Sequence, residues 1–413
     1  MKSLLAISWE MPPLTGPRAT QVARTMVALA KYGWRSRTIC FGPRSNRYNQ
    51  DGDVSVERSS GGHAALVPVA SPEEWFAVRA LWRLVPPLKH LPDEKRVWMP
   101  GALRAARAAL AAEPADVIAS FAQPWSDHLI GLQLKKEYRL PWVAHFSDPW
   151  ADSPYQRPNS LVARQAATWE HQVVEAADRV VFVNTYTRDR VMAKYPDSWR
   201  ARSVVVPQGH EGAPTAPASV MPSLPIRIVY TGRFYDGLRT PETFLHALAA
   251  AQNHAPMAGR IHVTFVGAGM QRYEQLAHHL GIASLVAFPG RLSPRAAMSH
   301  AAEADLLLVI DSPTGGEPSL FLPSKLIDYL PLQRPIIGIT PTQGPTADLL
   351  RELGYPVRDP RDASGMAALL ASLSTEAKAP PVSPQHVAVS ARFHITETTS
   401  QFAGVLEDAS RVA

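Results

Sequence analysis

The stretch IRIVYTGRFYDGLRT occupies residues 226–240. Its first five residues are apolar or β-branched except for Arg227, the pattern of a strand buried in a sheet. Thr231 and Gly232 end the run. Arg233 and Arg239 follow, six positions apart around a turn that contains Asp236 and Gly237. TPETFLHALAAA then reads as a helix, with Thr240 placed as N-cap and Pro241 at the first helical position. A strand, a glycine turn with two fixed cations and a helix start together suit a diphosphate. Guanidinium forks match phosphate oxygens, and the first helical turn has unpaired amides. An ordinary βα unit with solvated arginines would carry the same residues.

Upstream, GAPTAPASVMPSLP (residues 212–225) is rich in proline, alanine and serine and reads as a linker. Downstream, strand and helix patterns alternate. Residues 261–266 form a strand closed by Gly267-Ala268-Gly269, and a helix over 271–280 ends at Gly281. Residues 285–288 form a strand closed by Pro289-Gly290-Arg291, and a helix covers 294–304. The run 305–310 is the continuous apolar kind found in parallel sheets. DSPTGGEPSLFLPSKLIDYLPLQRPIIGIT follows from residue 311, with a helix starting at Pro323-Ser324-Lys325 and carrying Asp328 and Tyr329 on its first turns. Amides at that start can meet phosphate, and a carboxylate one turn in can accept from a ribose diol. A strand at 335–339 comes next, and the chain closes on a helix over about 395–406.

The half before the linker has the same grammar. Residues 4–8 read as a strand, 19–32 as an amphipathic helix ended by Gly33, and 36–41 as a second strand. The loop between, with Pro12-Pro13 and Thr15-Gly16-Pro17, lies at a strand's carboxyl end, where open α/β sheets bind ligands; Gly16 is equally at home in a structural turn. From Arg44 to Pro100 the pattern loosens. Within it, SPEEWFAVRALWRLVPPLK (71–89) sets Trp75, Phe76, Trp82 and Leu84 among Arg79, Arg83 and Lys89. Such a segment lies in a membrane interface or packs with its arginines in water. An alanine-rich helix at 101–113, a strand at 115–121 and a helix around 129–138 follow. In PWVAHFSDPWADSPY a strand at 142–146 presents His145, Ser147 and Asp148 at its end. His145 and Asp148 suit acid/base work or a grip on sugar hydroxyls, while a packed histidine and a turn-capping aspartate are the plainer alternatives. A helix over 161–177 leads to strands at 179–184 and 203–206.

The 413 residues exceed one ordinary core, so two domains are expected. With 46% hydrophobic and 19% charged residues the chain reads as globular. The single cysteine, Cys40, excludes an intrachain disulfide and fits a reducing cytoplasm. MKSLLAISWEMPP reads as a first core strand and not a signal peptide, and no apolar run approaches membrane-spanning length. The net charge of +6 favours an anionic ligand or membrane surface; without a dense basic tract interleaved with aromatics, nucleic acid is not expected.

In order and spacing, PPLTGPR, PDEKRVWMPGA, HFSDPW, VVFVNTYTRDRV, YTGRFYDGLRTPETFL, FVGAG, VAFPGRLS and PSKLIDYLPLQRPII resemble a family 4 glycosyltransferase over nearly the whole chain. The resemblance implies an α/β GT-B fold, two Rossmann-like domains with parallel sheets facing across a central cleft. It divides the chain into an acceptor domain at 1–211, a linker at 212–225, a donor domain at 226–392 and a C-terminal helix at 393–413 that crosses back. It implies retaining hexosyl transfer from a UDP- or GDP-linked sugar, a co-substrate, with no cofactor and no metal. The acceptor would be a lipid-linked or glycan molecule of bacterial surface or exopolysaccharide synthesis, with the enzyme cytoplasmic at the inner membrane face and residues 71–89 as the peripheral contact. By similarity, Arg233 and Arg239 neutralise the leaving diphosphate, Gly16 admits the phosphates, and Asp328 is the second acid of the E-x7-E motif. Gly232, Gly267, Arg291, Ser324 and Lys325 complete the implied donor contacts. The motif's first acid is absent, because Leu320 stands eight residues before Asp328 and the nearby Glu317 stands eight before Lys325. The catalytic-loop histidine would fall near Ser147, which leaves His145 or, preferably, Asp148 in its place. A sugar-nucleotide 2-epimerase and a non-catalytic sugar-nucleotide-binding protein are the competing readings.

Overall fold

The structure, a computed structural model, describes residues 1–44, 56–84, 91–212, 224–235 and 238–411. Asp236, Gly237, Lys89 and most of the expected linker lie outside the described residues. The chain forms two compact units, Met1–Gly209 with Ile395–Ala413, and His210–His394.

The first unit holds strands β1 (Lys2–Ile7), β2 (Trp34–Phe41), β3 (Ala64–Val69), β4 (Val117–Ala122), β5 (Trp142–Phe146), β6 (Arg179–Phe182) and β7 (Ser203–Val205). They make one sheet in the order β3-β2-β1-β4-β5-β6-β7, parallel throughout. Leu4 lies opposite Ser36 on one side and Val117 on the other. A parallel sheet is covered on both faces, so its central strands must be apolar at nearly every position. β4 and β5 are buried from end to end and apolar except at Ser120 and His145. Successive residues of β4 feed opposite layers. Ile118 and Ala122 pack with Trp98, Trp142 and Phe146, while Val117, Ala119 and Phe121 pack with Met26, Phe402 and Leu406. Phe402 and Leu406 belong to the helix Ile395–Arg411, so the end of the chain completes a layer of the first unit. Each such side chain contributes roughly 1.5–3 kcal/mol by leaving water.

The second unit holds β8 (Ile226–Thr231), β9 (Ile261–Val266), β10 (Val286–Gly290), β11 (Leu306–Ile310), β12 (Ile336–Ile339) and β13 (Val357–Arg358). Their order is β10-β9-β8-β11-β12-β13, again parallel. Ile228 lies opposite Val263 and Leu306. Ile228, Tyr230, Val263 and Phe265 face one helical layer, and Val229, Leu307 and Val309 face the other. None of the described helices is long and apolar enough to cross a membrane.

Several local readings need correction. The helix after β8 is Glu242–Ala251, and its N-cap is Pro241, not Thr240. The Leu245 amide donates to the Pro241 carbonyl at 2.9 Å, which makes Pro241 the residue that accepts the first helical bond. The described part of residues 71–89, 71–84, is not one helix. Ser71 caps a 3-10 turn at Pro72–Glu74, Trp75 is extended (φ −77°, ψ 140°), and the helix proper is Phe76–Leu84. The loosely patterned region contains β3, an outer strand whose Pro68 has no amide for a further neighbour. Between β12 and the last helix the structure adds β13 and the helices Pro345–Glu352, Ala363–Glu376 and His386–Arg392, none of which was legible from pattern.

Candidate functional site

Where chain order reverses in an open parallel sheet, the loops on either side diverge and leave a crevice at the carboxyl ends of the strands. In the second unit the reversal is at β8, between β9 and β11. The loop after β8 carries Gly232, Arg233 and Arg239, and the loop after β11 begins with Asp311. Gly232 takes φ 132°, and a Cβ in its place would stand 2.5 Å from Lys325 Nζ. At Gly267, closing β9, a Cβ would come 2.1 Å from the Gly232 carbonyl oxygen. Gly267 is therefore required by the close approach of the Gly232 backbone, and Gly232 by its positive φ.

Tyr235 and Arg239 exchange backbone hydrogen bonds at 2.9 Å, which turns the loop back and brings the second arginine beside the first. Arg239 Nη2 donates to the Arg233 carbonyl at 3.1 Å, and its guanidinium lies 4.9 Å from the centre of the Tyr235 ring. Arg239 Nε is buried without a partner, and the Arg233 side chain is exposed. On the helix Ser324–Tyr329, Lys325 and Tyr329 are four residues apart and share a face. Tyr329 Oη accepts from the Thr231 amide at 2.8 Å and locks that face to the end of β8. Lys325 Nζ is thereby held 3.8 Å from the centre of the Tyr230 ring, buried and without a hydrogen-bond partner.

The acid of this cluster is Asp311. Its carboxylate accepts from the Ser312 amide at 2.8 Å and from Ser319 Oγ at 3.2 Å. Burial pushes its pKa up, against the pull of Ser312, Arg239, Ser319 and Lys325. Burial and the neighbouring Arg239 hold the Lys325 amine well below the usual lysine range, with Asp311 opposing them. A cavity of about 310 Å³ adjoins Asp311, lined also by Leu238, Thr240, Phe244, Arg272 and Arg361. Arg239 and Lys325 thus flank the glycine loop that Arg233 continues, and Asp311, itself already hydrogen-bonded, is the carboxylate coupled to both. Such a place attracts an anion.

In the first unit the reversal falls at β1, between β2 and β4. Arg18, near the start of the helix Pro17–Leu29, is buried there with Nη2 3.1 Å from both His145 Nδ1 and the His145 carbonyl oxygen. A guanidinium only donates, so His145 Nδ1 accepts and the ring proton is on Nε2. Burial and Arg18 hold the imidazole well below its usual range, and the ring packs 5.2 Å from Phe121 and 6.0 Å from Phe402. His145 is therefore neutral, with no lone pair left for a general base. The guanidinium itself is lowered to about 10 by burial, against Asp148, Glu10 and Asp127.

Asp148 is half-buried at the end of β5, with Ser147 Oγ at 2.9 Å and Gln123 Nε2 donating at 3.2 Å. Burial raises its pKa, and Ser147, Arg18 and Gln123 oppose the rise. Gly16 is the N-cap of Pro17–Leu29 (φ −70°, ψ 153°) and supplies no side-chain cap. The Glu10 carboxyl fills that position, since a Cβ on Gly16 would collide with Glu10 Oε2. Where the resemblance puts a donor phosphate, the protein's own carboxyl stands over the helix start.

Of the remaining expected residues, Ser324 and Asp328 are half-buried, Arg291 is exposed, and Glu317 is exposed on the turn after Thr314. Asp311, Tyr230, Arg18 and Glu10 were missed by sequence reasoning. For Asp311 a signal existed, because it directly follows the most apolar strand of its half. Among the described residues no three histidine, cysteine, aspartate or glutamate side chains gather as a metal site.

Two parallel α/β units, each with a reversal at its first strand, define the GT-B class. Residues 18–209 match the model of the glycosyl transferase 4-like domain. The first unit thus carries a glycosyl transferase 4-like domain, and the chain has the GT-B fold. Among solved structures it is similar to sucrose-phosphate synthase from Thermosynechococcus elongatus, at 16% identity over 100% of both chains with a TM-score of 0.69. A lipopolysaccharide outer core galactosyltransferase in its apo form matches at 14% identity, TM-score 0.63, over 98% of this chain and 99% of that one. The pneumococcal O-GlcNAc transferase in complex with UDP and GlcNAc matches at 9% identity, TM-score 0.63, over 99% of each. No curated protein matches the sequence.

Proposed function

We propose that this protein transfers a hexose, with retention of configuration, from a UDP- or GDP-linked sugar to a lipid-linked or glycan acceptor of a bacterial surface polysaccharide. The observation that carries the reading is the gathering of the Arg239 guanidinium and the Lys325 amine, each with a buried unpartnered nitrogen, at Gly232 and the neighbouring Arg233, where strand order reverses in the second unit. When the bond from the anomeric carbon to the diphosphate breaks, its electron pair goes to the phosphate oxygen and the ring carbon becomes positive. Fixed cations at the phosphate stabilise that charge as it grows, at several kcal/mol for each well-placed donor. Asp328 would hold the ribose, and Gly16 would admit a phosphate once Glu10 has moved aside. Asp148 would orient a hydroxyl or face the developing positive charge. Neighbours whose names include a galactosyltransferase and a UDP complex are consistent with a nucleotide-sugar donor.

Incubating the purified protein with UDP-, GDP- and ADP-sugars tests the reading. Release of the nucleotide from at least one donor, with the sugar moved to an acceptor or to water, is the expected result. An epimerised sugar, or binding without turnover, would transfer the assignment to the competing classes. Neither binding nor turnover with any donor would remove it.

A lipid-linked acceptor puts the enzyme at the inner face of the cytoplasmic membrane. Trp75, Phe76 and Leu84 are 63%, 80% and 81% exposed, with Arg83 exposed beside them and Arg79 half-buried. Aromatic side chains at headgroup depth with arginines near lipid phosphates give peripheral, salt-sensitive binding, about 1 kcal/mol for each cation. The protein is expected to float with anionic vesicles at low salt and to be released at high salt. Arg79→Glu/Arg83→Glu should abolish flotation and leave nucleotide binding intact. Equal flotation of variant and wild type would make this helix an ordinary outer face.

A further inference from the structure

Lys325 Nζ is enclosed by protein, has no hydrogen-bond partner among the described residues and lies 3.8 Å from the centre of the Tyr230 ring. An ammonium carries three donors, and here none of them meets an acceptor. The titratable and charged groups around it are Tyr230 on β8, Arg239 on the following loop, Asp311 after β11, and Asp328 and Tyr329 on its own helix. Arg239 repels a positive charge at this position. Asp311 attracts one but is already bound to the Ser312 amide and Ser319 Oγ.

The backbone is shaped around the same nitrogen. Gly232 takes φ 132° directly in front of it, where a Cβ would stand 2.5 Å away. Arg239 Nε, also buried and unpartnered, belongs to the same cluster. Two buried nitrogen groups without acceptors therefore flank one glycine loop, and an anion drawn to that loop would supply the acceptors both of them lack.

We propose that Lys325 is a third cation of the diphosphate site, neutral while the site is empty and charged by its ligand, so that each nucleoside diphosphate bound brings one proton with it. This rests on the diphosphate reading of the cluster. As the anion arrives, the Nζ lone pair takes a proton from solvent, the amine becomes an ammonium, and its N–H groups gain the phosphate oxygens as acceptors. Burial and Arg239 oppose the charge in the free protein, and the ligand's negative charge outweighs them in the complex. Because the complex holds more protons than its components, affinity falls as pH rises, by about tenfold per unit while one full proton is exchanged.

Calorimetric titration of the full chain with UDP and with GDP, at about pH 8, reads this directly. A terminal phosphate with a second ionisation near about 6 is fully charged there, so uptake reports on the protein. Comparing two buffers of different ionisation enthalpy gives the number of protons, and uptake of about one is expected. Lys325→Gln should bind about tenfold more weakly and take up none, as befits the loss of a charged donor. Lys325→Arg, always charged, should bind without uptake whatever its affinity. Binding by wild type without proton exchange would overturn the proposal and leave the diphosphate site standing, as would undiminished uptake in Lys325→Gln. If neither nucleotide binds, the diphosphate reading fails and this proposal fails with it.

Discussion

Arg233→Ala/Arg239→Ala is expected to lower transfer with any competent donor by about a hundredfold or more, and Arg239→Ala alone by at least about tenfold. The loss should fall on turnover more than on donor affinity, because the diphosphate gains charge as the anomeric bond breaks. Stability should hardly change. Arg233 is exposed, and among the described residues the Arg239 side chain donates to the Arg233 carbonyl alone. A melting curve like that of wild type together with the kinetic loss would separate chemistry from folding. Wild-type turnover in the double variant would end the diphosphate assignment for this loop.

Gly267→Ala is expected to destabilise the second unit by about 3 kcal/mol, at the upper end for overpacking, and to weaken nucleotide binding with it. The new methyl group would lie 2.1 Å from the Gly232 carbonyl oxygen and 2.6 Å from Met270 Cε. The methionine can swing away, but the carbonyl is backbone, and no rotamer relieves that contact. The loops after β8 and β9 must separate, carrying Gly232 off Lys325. At about 2–4 °C per kcal/mol for a unit of this size, the melting temperature should fall by roughly 6–12 °C. Gly269→Ala is an internal control: its φ is +72° but a Cβ there meets nothing within 4 Å, so only the backbone preference is lost, about 1 kcal/mol. Equal melting of Gly267→Ala and wild type would mean that the two loops do not press on each other in solution.

The parts legible in the sequence were those encoded by contiguous residues. A parallel sheet is buried on both faces and needs strands apolar at nearly every position, so runs such as LLLVI of β11 and WVAHF of β5 announced themselves. The glycine turn with Arg233 and Arg239 was visible for the same reason, as one unbroken stretch after one strand. β3 was not, because Pro68 and its place at the sheet's edge removed the pattern. What tertiary structure alone decided is which residues meet. Strand order around β8 brings Gly232, Gly267 and Asp311 to one end of the sheet, from loops that no local pattern connects. The face shared by Lys325 and Tyr329 aims the lysine at that loop through the bond from Tyr329 to Thr231. In the first unit, a buried Arg18 fixes the tautomer of His145 and makes a packed neutral donor of a residue that reads as an acid/base candidate. A side chain's charge and role depend on burial and on partners far away in the chain, and neither quantity is a property of a single stretch of sequence.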